Sequence, residues 1–419
     1  MSDSTATPII IIGAGMAGLT CANYLHRAGR SVLVLEAADA VGGRVRTDVT
    51  PEGFRLDRGF QVLQTRYPEV QRMLDYGALQ LRAFRSGAVI RLANGRQTTL
   101  VNPLDQPLAA FSALTSPIGT LADKLRIAAL AQRVKNSGNQ ELLDFPSSDT
   151  LTYLRQNGWS EQIIDSFFRP FFGGVYLDRS LSTASNFFEF VFKQFVEGDA
   201  AVPALGMQQI PEQLATRLPA GSVRLNTKVE ATEGTQVRLT SGEILAAQAV
   251  VVAVDGEAAA RLLPTSRLSF PTAWRRTTCT YFAADTPPVK ADQLLRLNAA
   301  PDSLAHNVAF TSDVAPEYAP TGRILVSVST HGSPILPEAD LTARLREELA
   351  AWFGPEAQRW QHLRSYHLPQ ALPVYSAGQP PHQPLQVADR LYRCGDYTAY
   401  PSLNAAMATG REVAEALLA

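Results

Sequence analysis

The chain has 419 residues, of which 46% are hydrophobic and 18% are charged. That length exceeds one compact core, and the composition excludes an intrinsically disordered chain. The formal net charge is −1, so the protein lacks the basic field that holds a nucleic-acid backbone. Three widely spaced cysteines without a CxxC pair predict a reducing compartment and no metal site. We expect a cytoplasmic protein because neither a secretory signal nor a transmembrane helix is visible.

The first elements predict a strand–helix–strand unit. Residues 9–12 form an uninterrupted β-branched run, which is typical of a strand covered on both faces. Residues 16–28 carry an apolar stripe at helical spacing and end at Gly29. Residues 31–35 predict a second buried strand, which completes a βαβ unit with a right-handed crossover.

The next segments predict short strands and then helices. Residues 54–56 predict a short strand, and Asn94-Gly95 predicts a hairpin between strands at 88–92 and 97–101. Residues 107–200 are predicted to be mainly helical and are rich in phenylalanine. Strands are then predicted at 223–229, 236–239, 244–245, 249–254, 278–283, 324–330 and 391–394, with helices at 341–353 and 402–418.

Strand signals at both ends and in the middle predict one nucleotide-binding domain assembled from three pieces. We place these pieces at residues 1–85, 202–265 and 385–419. Two insertions then build a substrate-binding domain, a mainly helical one at 86–201 and a mixed α+β one at 266–384.

A glycine-rich turn joins the first strand to the first helix. Residues 13–18 read GAGMAG, which matches the GxGxxG pattern in its expected place. The first glycine permits the tight turn, the second lets a pyrophosphate approach, and the third lets helix and strand pack closely. Glu36 ends the next strand, where it can accept hydrogen bonds from a ribose 2′-hydroxyl. Since Glu36 would repel a 2′-phosphate, we predict an adenosine diphosphate half without that group.

Glu36 followed by Val41-Gly42-Gly43-Arg44 resembles the flavin amine oxidase superfamily, which includes monoamine and polyamine oxidases, protoporphyrinogen oxidase and carotenoid desaturases. The similarity continues through residues 56–59 (LDRG), 169–176 (RPFFGGVY), 206–211 (GMQQIP) and 395–396 (GD). The middle of the chain is most similar to the protoporphyrinogen oxidase and desaturase branch. The resemblance implies an α/β fold with a discontinuous Rossmann-like FAD-binding domain (GR2-type) and a second substrate domain of mixed sheet and helices.

The resemblance also implies non-covalent FAD and a role for each matching residue. The glycines of the GxGxxG turn would hold the pyrophosphate, Glu36 the adenosine ribose, and Arg44 would be the pyrophosphate counter-cation. Val229 would pair with the adenine through its backbone, and Asp396 would bind a hydroxyl on the ribityl or pyrophosphate side. The cofactor-binding candidates are Gly13, Gly15, Met16, Ala17, Gly18, Glu36, Ala37, Gly42, Gly43, Arg44, Gly59, Phe60, Val229, Gly395, Asp396, Ser402, Leu403 and Asn404.

The helix that opens at residues 402–404 would point its positive end at the isoalloxazine N1–C2 carbonyl, which stabilises a reduced flavin. Cys394 lies nearby but is predicted to be an inert core thiol. Asp57-Arg58 leaves two interpretations open, a surface ion pair and an element of the site.

The catalytic residues stay unknown at this level, with Tyr397, Tyr400 and Lys193 as weak candidates. Amine oxidases of the family commonly place a lysine near flavin N5, and only five lysines are present: Lys124, Lys135, Lys193, Lys228 and Lys290. Before the last helix stand Pro401, Ser402 and Leu403 rather than an aromatic residue. The small number of lysines and the lack of an aromatic residue before the last helix both disfavour a typical amine oxidase.

A phenylalanine-rich helix favours a large apolar substrate. Phe187, Phe188, Phe190 and Phe192 cover it nearly all round, so it is buried, lines an apolar pocket or touches a membrane. Phe111, Leu114, Ile118 and Leu121 keep peripheral membrane contact open.

We therefore expect an FAD-dependent oxidoreductase that moves a hydride from a C–H of a mainly apolar substrate to flavin N5, as a desaturase or protoporphyrinogen oxidase does. Oxygen or another acceptor would then take the electrons, and the oligomeric state stays unknown. The alternatives are a flavin amine oxidase acting on a small amine, a non-enzymatic lipid-escort protein on the same fold, and a non-redox flavin enzyme such as a sugar-nucleotide mutase.

Overall fold

The computed structural model describes residues 7–101, 116–264, 268–271, 273–332 and 336–419. Its strands in chain order are β1 Ile9–Ile12, β2 Val32–Leu35, β3 Thr47–Val49, β4 Arg55–Asp57, β5 Leu63–Gln64, β6 Arg82–Ala83, β7 Gly87–Arg91, β8 Gln97–Val101, β9 Ala200–Val202, β10 Val223–Arg224, β11 Val229–Glu233, β12 Gln236–Leu239, β13 Ile244–Ala246, β14 Val250–Val252, β15 Trp274–Ala284, β16 Leu295–Asn298, β17 Asn307–Phe310, β18 Ile324–His331, β19 Gln361–Pro373, β20 Gln386–Ala388 and β21 Leu391–Arg393.

The α-helices in chain order are α1 Met16–Arg27, α2 Pro68–Met73, α3 Tyr76–Leu79, α4 Leu121–Asn136, α5 Asn139–Asp144, α6 Thr150–Gln156, α7 Glu161–Ile163, α8 Arg169–Tyr176, α9 Ser185–Glu197, α10 Gln209–Ala215, α11 Gly256–Leu262, α12 Thr311–Val314, α13 Glu338–Phe353 and α14 Leu403–Leu418. A π-helical turn at Ile164–Phe168 joins α7 to α8. Among the described helices, none has the length and hydropathy that crossing a bilayer requires.

The first sheet brings together strands from three distant parts of the chain. Its order is β10-β2-β1-β14-β21-β20, and all its pairings are parallel except that of the edge strand β20. Ile10 pairs with Val250, which pairs in turn with Leu391. The central strands read IIII and VVV and are fully buried, as expected for a parallel sheet covered on both faces.

The last helix closes one face of this sheet by packing against α1. An added Cβ at Gly410 would lie only 2.3 Å from the carbonyl oxygen of Ala17, so only glycine permits this approach. The contact holds the beginning of α14 close to the glycine-rich turn, although about 390 residues separate them in sequence.

A second sheet has the order β19-β15-β18-β17-β16-β7-β8. Its long strands β15 and β19 run antiparallel through most of their length, and the β7–β8 hairpin extends the opposite edge. The two sheets and the helices around them confirm the predicted α/β fold class. The division into domains at the stated boundaries stays a prediction.

Helices α4 to α9 form a helical segment between β8 and β9 in sequence. Phe187, Phe188, Phe190 and Phe192 on α9 are all buried. Phe172 of α8 packs edge-on against Phe188, with ring centroids 4.8 Å apart. The phenylalanine-rich helix is therefore part of the protein core.

Some predicted elements differ from the observed ones. The strand expected at 223–229 is interrupted, because residues 225–228 leave the sheet to run beside Glu36 and Ala38. The 13-residue strand β19 was not predicted, since its sequence QHLRSYHLPQALP is polar and contains prolines. Phe111 and Leu114, two of the four residues proposed for membrane contact, lie outside the described residues.

Candidate functional site

The turn at residues 13–18 has the backbone geometry that its glycines predict. Gly13 has a φ of +106°, and an added Cβ would lie 2.8 Å from the Ala253 carbonyl oxygen. At Gly18 an added Cβ would lie 2.0 Å from the Gly13 carbonyl oxygen, so this glycine permits the close packing of α1 on β1. At Gly15, by contrast, an added Cβ would meet no described atom within 4 Å. Gly15 thus borders open space that a ligand can enter.

The beginning of α1 supplies backbone donors rather than side chains. Gly15 is the N-cap and makes no side-chain capping bond, and the first turn has no acidic residue. Met16 and Ala17 are buried, so they can contribute to a ligand site only through their N–H groups. Because the first N–H groups of a helix have no intrahelical acceptor, this end favours an anion.

Glu36 holds the glycine-rich turn in place. Its Oε2 accepts a hydrogen bond of 2.7 Å from the Ala14 N–H, and its Oε1 accepts one of 2.8 Å from the Ala38 N–H. The carboxylate therefore stabilises the turn and stays partly exposed at its edge. Ala37 beside it is exposed.

The chain before Val229 runs beside this acid. The Asn226 N–H donates to the Ala38 carbonyl at 2.9 Å, and the Thr227 N–H donates to the Glu36 carbonyl at 2.7 Å. Val229, the first residue of β11, therefore follows two residues after a hydrogen bond to Glu36, near the predicted adenosine end.

Gly42 and Gly43 lie directly against the glycine-rich turn. The Gly42 N–H donates to the Ala14 carbonyl at 2.8 Å, and an added Cβ at Gly43 would lie 3.5 Å from the Gly15 Cα. Both have positive φ, at +118° and +60°, which glycine adopts without strain. The two glycine segments thus form one continuous backbone surface.

Arg44 leaves this surface and reaches the other end of the chain. Its Nη2 lies 2.7 Å from Oδ1 of Asp396, and its Nη1 donates to the Ala371 carbonyl of β19 at 2.9 Å. The Arg44 side chain is 41% exposed, whereas Asp396 is buried. Residues from the first segment, the last segment and the second sheet therefore meet at one point.

The last helix begins next to Asp396. Gly395 has a φ of +148°, and its N–H donates to the Thr409 hydroxyl of α14 at 3.0 Å. Ser402 caps α14 by accepting a hydrogen bond of 3.0 Å from the Ala405 N–H, while Leu403 opens the helix. Ser402 and not Asp396 is therefore the N-cap of α14, and the Asp396 carboxylate is available to Arg44.

Asn404 uses its side chain within the protein. Its Nδ2 donates to the Tyr400 hydroxyl at 3.0 Å, and its Oδ1 accepts from the Glu69 N–H at 3.0 Å. Any cofactor contact of Asn404 would have to come from its backbone N–H, as part of the helix end.

Gly59 and Phe60 lie where the second sheet meets the first segment. An added Cβ at Gly59 would lie 2.6 Å from Leu368 Cδ1 on β19, and its φ is +103°. Phe60 packs edge-on against Phe84, with ring centroids 5.9 Å apart. The turn after β4 therefore runs tightly under the second sheet.

Comparison with known proteins assigns the chain to a family. A family model described as "Flavin containing amine oxidoreductase" matches residues 16–418. The chain belongs to this family. Putrescine oxidase of Kocuria rosea is 29% identical over 240 residues, which cover 53% of this chain and 48% of that protein. Human lysine-specific histone demethylase 2 is 51% identical over 55 residues, or 13% of this chain and 7% of that protein. Each match thus spans under half of the relative's length.

Solved structures of the family share the fold across nearly the whole chain. Putrescine oxidase bound to putrescine has a TM-score of 0.72 at 18% identity and covers 98% of this chain and 99% of that one. An oxidoreductase from Methanosarcina mazei has a TM-score of 0.75 at 20% identity, covering 97% and 100%. A putative protoporphyrinogen oxidase from Exiguobacterium has 0.70 at 18%, covering 99% of both.

Family membership makes this protein an FAD-dependent oxidoreductase and favours an enzyme over a lipid-escort protein. The site fits the cofactor: open space at Gly15, unpaired N–H groups at the beginning of α1, and the Arg44 guanidinium suit a diphosphate. Cys394 is fully buried, and burial raises the pKa of its thiol to about 12, so it is an inert core residue.

The three weak catalytic candidates occupy different places. Tyr397 is buried against Phe270, with ring centroids 6.2 Å apart, and its hydroxyl has no partner among the described residues. Tyr400 accepts a hydrogen bond from Asn404 and packs on α9. Lys193 belongs to α9, and its Nζ reaches the C-terminal end of α4, where it donates to the carbonyls of Val134 and Lys135; it also pairs with Glu197 at 2.6 Å. Every donor of Lys193 is therefore used structurally.

Asp57 is a buried acid whose role sequence reasoning did not identify. It is not paired with Arg58, which binds Asp48 instead. Its Oδ1 accepts from the Thr47 hydroxyl and the Met207 N–H, and its Oδ2 accepts from Tyr318 at 2.9 Å. Burial raises the pKa of the Asp57 carboxyl to about 6, although these hydrogen bonds lower it. The surface-pair interpretation of Asp57-Arg58 is wrong.

Proposed function

We propose that this FAD-dependent oxidoreductase removes a hydride from a C–H of a mainly apolar substrate, in a C–C or C–N oxidation. One observation carries the proposal: the phenylalanine-rich helix α9 packs directly on the segment that joins Asp396 to α14. Tyr400 in that segment lies 5.1 Å from Phe190 and 5.6 Å from Phe187, between ring centroids.

Aromatic rings continue outward from this contact. Phe187 also lies 5.7 Å from Tyr176 and 5.9 Å from Tyr375, and Phe190 stacks on Tyr67 at 6.0 Å. A site next to this wall would have large apolar surfaces and a few phenolic hydroxyls, which suits an extended apolar molecule.

The placement of the lysines does not support the small-amine alternative. Lys193 is used structurally, Lys124 donates to the Ser116 carbonyl, and Lys135, Lys228 and Lys290 are exposed. We therefore assign no lysine to the position near flavin N5 that amine oxidases commonly fill.

The chain's own residues bind and orient the reactants. The glycine-rich turn, the Gly42-Gly43 segment and Arg44 would hold the diphosphate, and Glu36 the adenosine ribose. When bound, FAD supplies the hydride acceptor. The N-terminus of α14 would favour negative charge near the N1–C2 carbonyl, and the aromatic wall would exclude water from the reacting centre. The described residues place no strong base beside this wall, so we assign none.

Anaerobic reduction tests the proposal. The purified FAD-loaded protein is mixed without oxygen with a carotenoid-type polyene, a porphyrinogen, or putrescine, and flavin absorbance is followed. Bleaching by either apolar compound supports the proposal, whereas bleaching by putrescine alone overturns it in favour of the amine alternative. Admitting oxygen afterwards shows whether oxygen is the electron acceptor.

A further inference from the structure

One face of the second sheet extends from Gly59 to a buried polar cluster. Thr277 on β15 pairs with Leu368 on β19 and with His331 on β18, so these three side chains share a face. Leu368 is the residue that contacts Gly59. Because neighbouring strands are about 4.8 Å apart, His331 lies roughly 10 Å from Leu368 along this face. Asn307 is on the same face, since it pairs with Ser329, two residues before His331.

Buried polar atoms in this cluster lack hydrogen-bond partners among the described residues. They are both ring nitrogens of His331 and the Oδ1 of Asn307, whose residue is 5% exposed. The His306 ring packs on His331 with centroids 3.8 Å apart, and the Pro170 carbonyl lies beside it. Since burying an unpaired polar atom is costly, a cluster of them indicates a site for a polar group.

Arg179 supplies a positive charge at the edge of the cluster. Among the described residues its guanidinium makes only long contacts, at 3.4 Å to the Asn298 carbonyl and 3.5 Å to the Ala299 carbonyl and to His306 Nδ1. Nearby acids have other partners: Asp178 pairs with Arg275, and Asp165 pairs with Arg169. Asp302 is the remaining acid whose charge acts on Arg179.

The two imidazoles add no positive charge to that of Arg179. Burial lowers the pKa of His306 well below its usual value and that of His331 to about 4, helped by the positive charge of Arg179. Each ring is therefore neutral at pH 7 and has one N–H. His306 faces the Arg179 guanidinium through Nδ1 and has the Pro170 carbonyl beside it, so the N–H that remains for a ligand is that of His331. A guanidinium with a neutral donor beside it matches a carboxylate, whereas an ammonium group would be repelled.

We propose that Arg179 and His331, with His306 and Asn307 beside them, form a subsite for a carboxylate group carried by the apolar substrate. The subsite lies roughly 10 Å from the residue that contacts Gly59, so the carboxylate would be bound away from the reacting carbon and would orient it. This inference rests on the proposed function in taking the sheet face above Gly59 as the place where substrate binds.

Binding of three probes with the same alkyl chain tests the subsite. Isothermal titration of the FAD-loaded protein with decanoate, decan-1-ol and decylamine should rank decanoate first. Arg179→Gln should weaken decanoate binding about tenfold or more and leave decan-1-ol unchanged, because only the charge-assisted hydrogen bonds are lost. Arg179→Lys should recover part of the loss. Arg344→Gln, which changes an exposed arginine on α13, is the matched control and should bind all three probes as the unmodified protein does.

His331→Phe provides a second test in case Arg179→Gln does not fold. It keeps the ring and removes two nitrogens that have no described partner, so it should fold and lose decanoate affinity severalfold. Preference for decylamine, absence of decanoate binding, or equal loss of decanoate and decan-1-ol in the folded variants would overturn the subsite. These titrations follow binding only, so a failure of the flavin to accept hydride from apolar substrates would be recognised separately.

Discussion

Arg44 and Asp396 form an ion pair of 2.7 Å across 352 residues of sequence. The pair joins the Gly42-Gly43 segment to the turn before α14, and the second hydrogen bond of Arg44 to Ala371 adds the second sheet. Because the guanidinium has five donors, it can keep Asp396 and still turn donors toward a diphosphate. Arg44 thus has a structural partner and a proposed cofactor role at once.

Replacing Arg44 with alanine should lower the affinity for FAD about tenfold or more. The change removes the proposed counter-cation and leaves the buried Asp396 carboxylate without its partner. Fluorescence titration of the apoprotein with FAD measures the effect, and Arg44→Lys should be intermediate. Arg30→Ala, at an exposed position after α1, is the control. An unchanged FAD affinity with a lower melting temperature would show that Arg44 is purely structural.

The two glycines of the first turn should respond differently to alanine. Gly18→Ala places a methyl group 2.0 Å from the Gly13 carbonyl oxygen, so the apoprotein should lose about 1–3 kcal/mol or more of unfolding free energy. Gly15→Ala meets no described atom and has an N-cap φ of −74°, so the apoprotein should keep its stability. Its FAD affinity should nevertheless fall, because the methyl group enters the ligand's space. Thermal melting and FAD titration of both apoproteins separate the two effects. Normal FAD binding by Gly15→Ala would contradict the proposal that the cofactor occupies the space at Gly15.

Glu36 should determine selectivity against a 2′-phosphate. The unmodified apoprotein should bind ADP more tightly than adenosine 2′,5′-bisphosphate, because the carboxylate repels a second anion at the ribose. Glu36→Gln keeps an acceptor for the turn and removes the charge, so this preference should shrink severalfold. Competition of each nucleotide with FAD measures the preference, and an unchanged ratio in Glu36→Gln would contradict the ribose role.

Local patterns were sufficient for the parts of the site that backbone geometry decides. GxGxxG, the distance to Glu36 and the position of Gly42-Gly43 depend on turns and neighbouring strands, so the structure places these residues together as the sequence predicts. Contacts between residues that are hundreds of positions apart could not be predicted from local sequence patterns. The approach of Gly410 to Ala17 needs α14 to cross α1, and a glycine inside a helix gives no sign of its partner.

Polar residues also misled the sequence-based prediction, at Asp57 and in strand β19. Asp57 follows a short strand beside Arg58, a pattern typical of a surface pair, yet Thr47, Met207 and Tyr318 enclose it. Strand β19 has no alternating pattern, because its residues contact different surroundings along its length. Both features depend on how the second sheet lies against the first segment, which no short pattern encodes.

The stability of the protein should depend on pH through Asp57. Its folded pKa of about 6 exceeds the ordinary aspartate value of 3.8, so the folded state binds the proton more tightly than the unfolded state does. The contribution of Asp57 is therefore most favourable below about pH 4 and is lost as the pH rises to 6, by roughly 3 kcal/mol in total. Asp57→Asn cannot ionise, so its stability relative to the unmodified protein should rise between pH 4.5 and pH 7.5. Denaturant unfolding at both values measures the difference, and a constant difference would show that Asp57 does not titrate in this range.

Substitution of Lys193 distinguishes a structural role of this lysine from a catalytic one. Its Nζ binds the carbonyls of Val134 and Lys135 near the C-terminus of α4, where a cation is favoured, and pairs with Glu197. Lys193→Met should therefore lower the unfolding free energy by about 1–3 kcal/mol while leaving the rate of flavin reduction unchanged. Lys135→Met, at an exposed position on the same helix end, should change neither quantity. Denaturant unfolding and anaerobic stopped-flow measure the two effects. A hundredfold slower flavin reduction in Lys193→Met at unchanged stability would instead favour a catalytic lysine and a small-amine substrate.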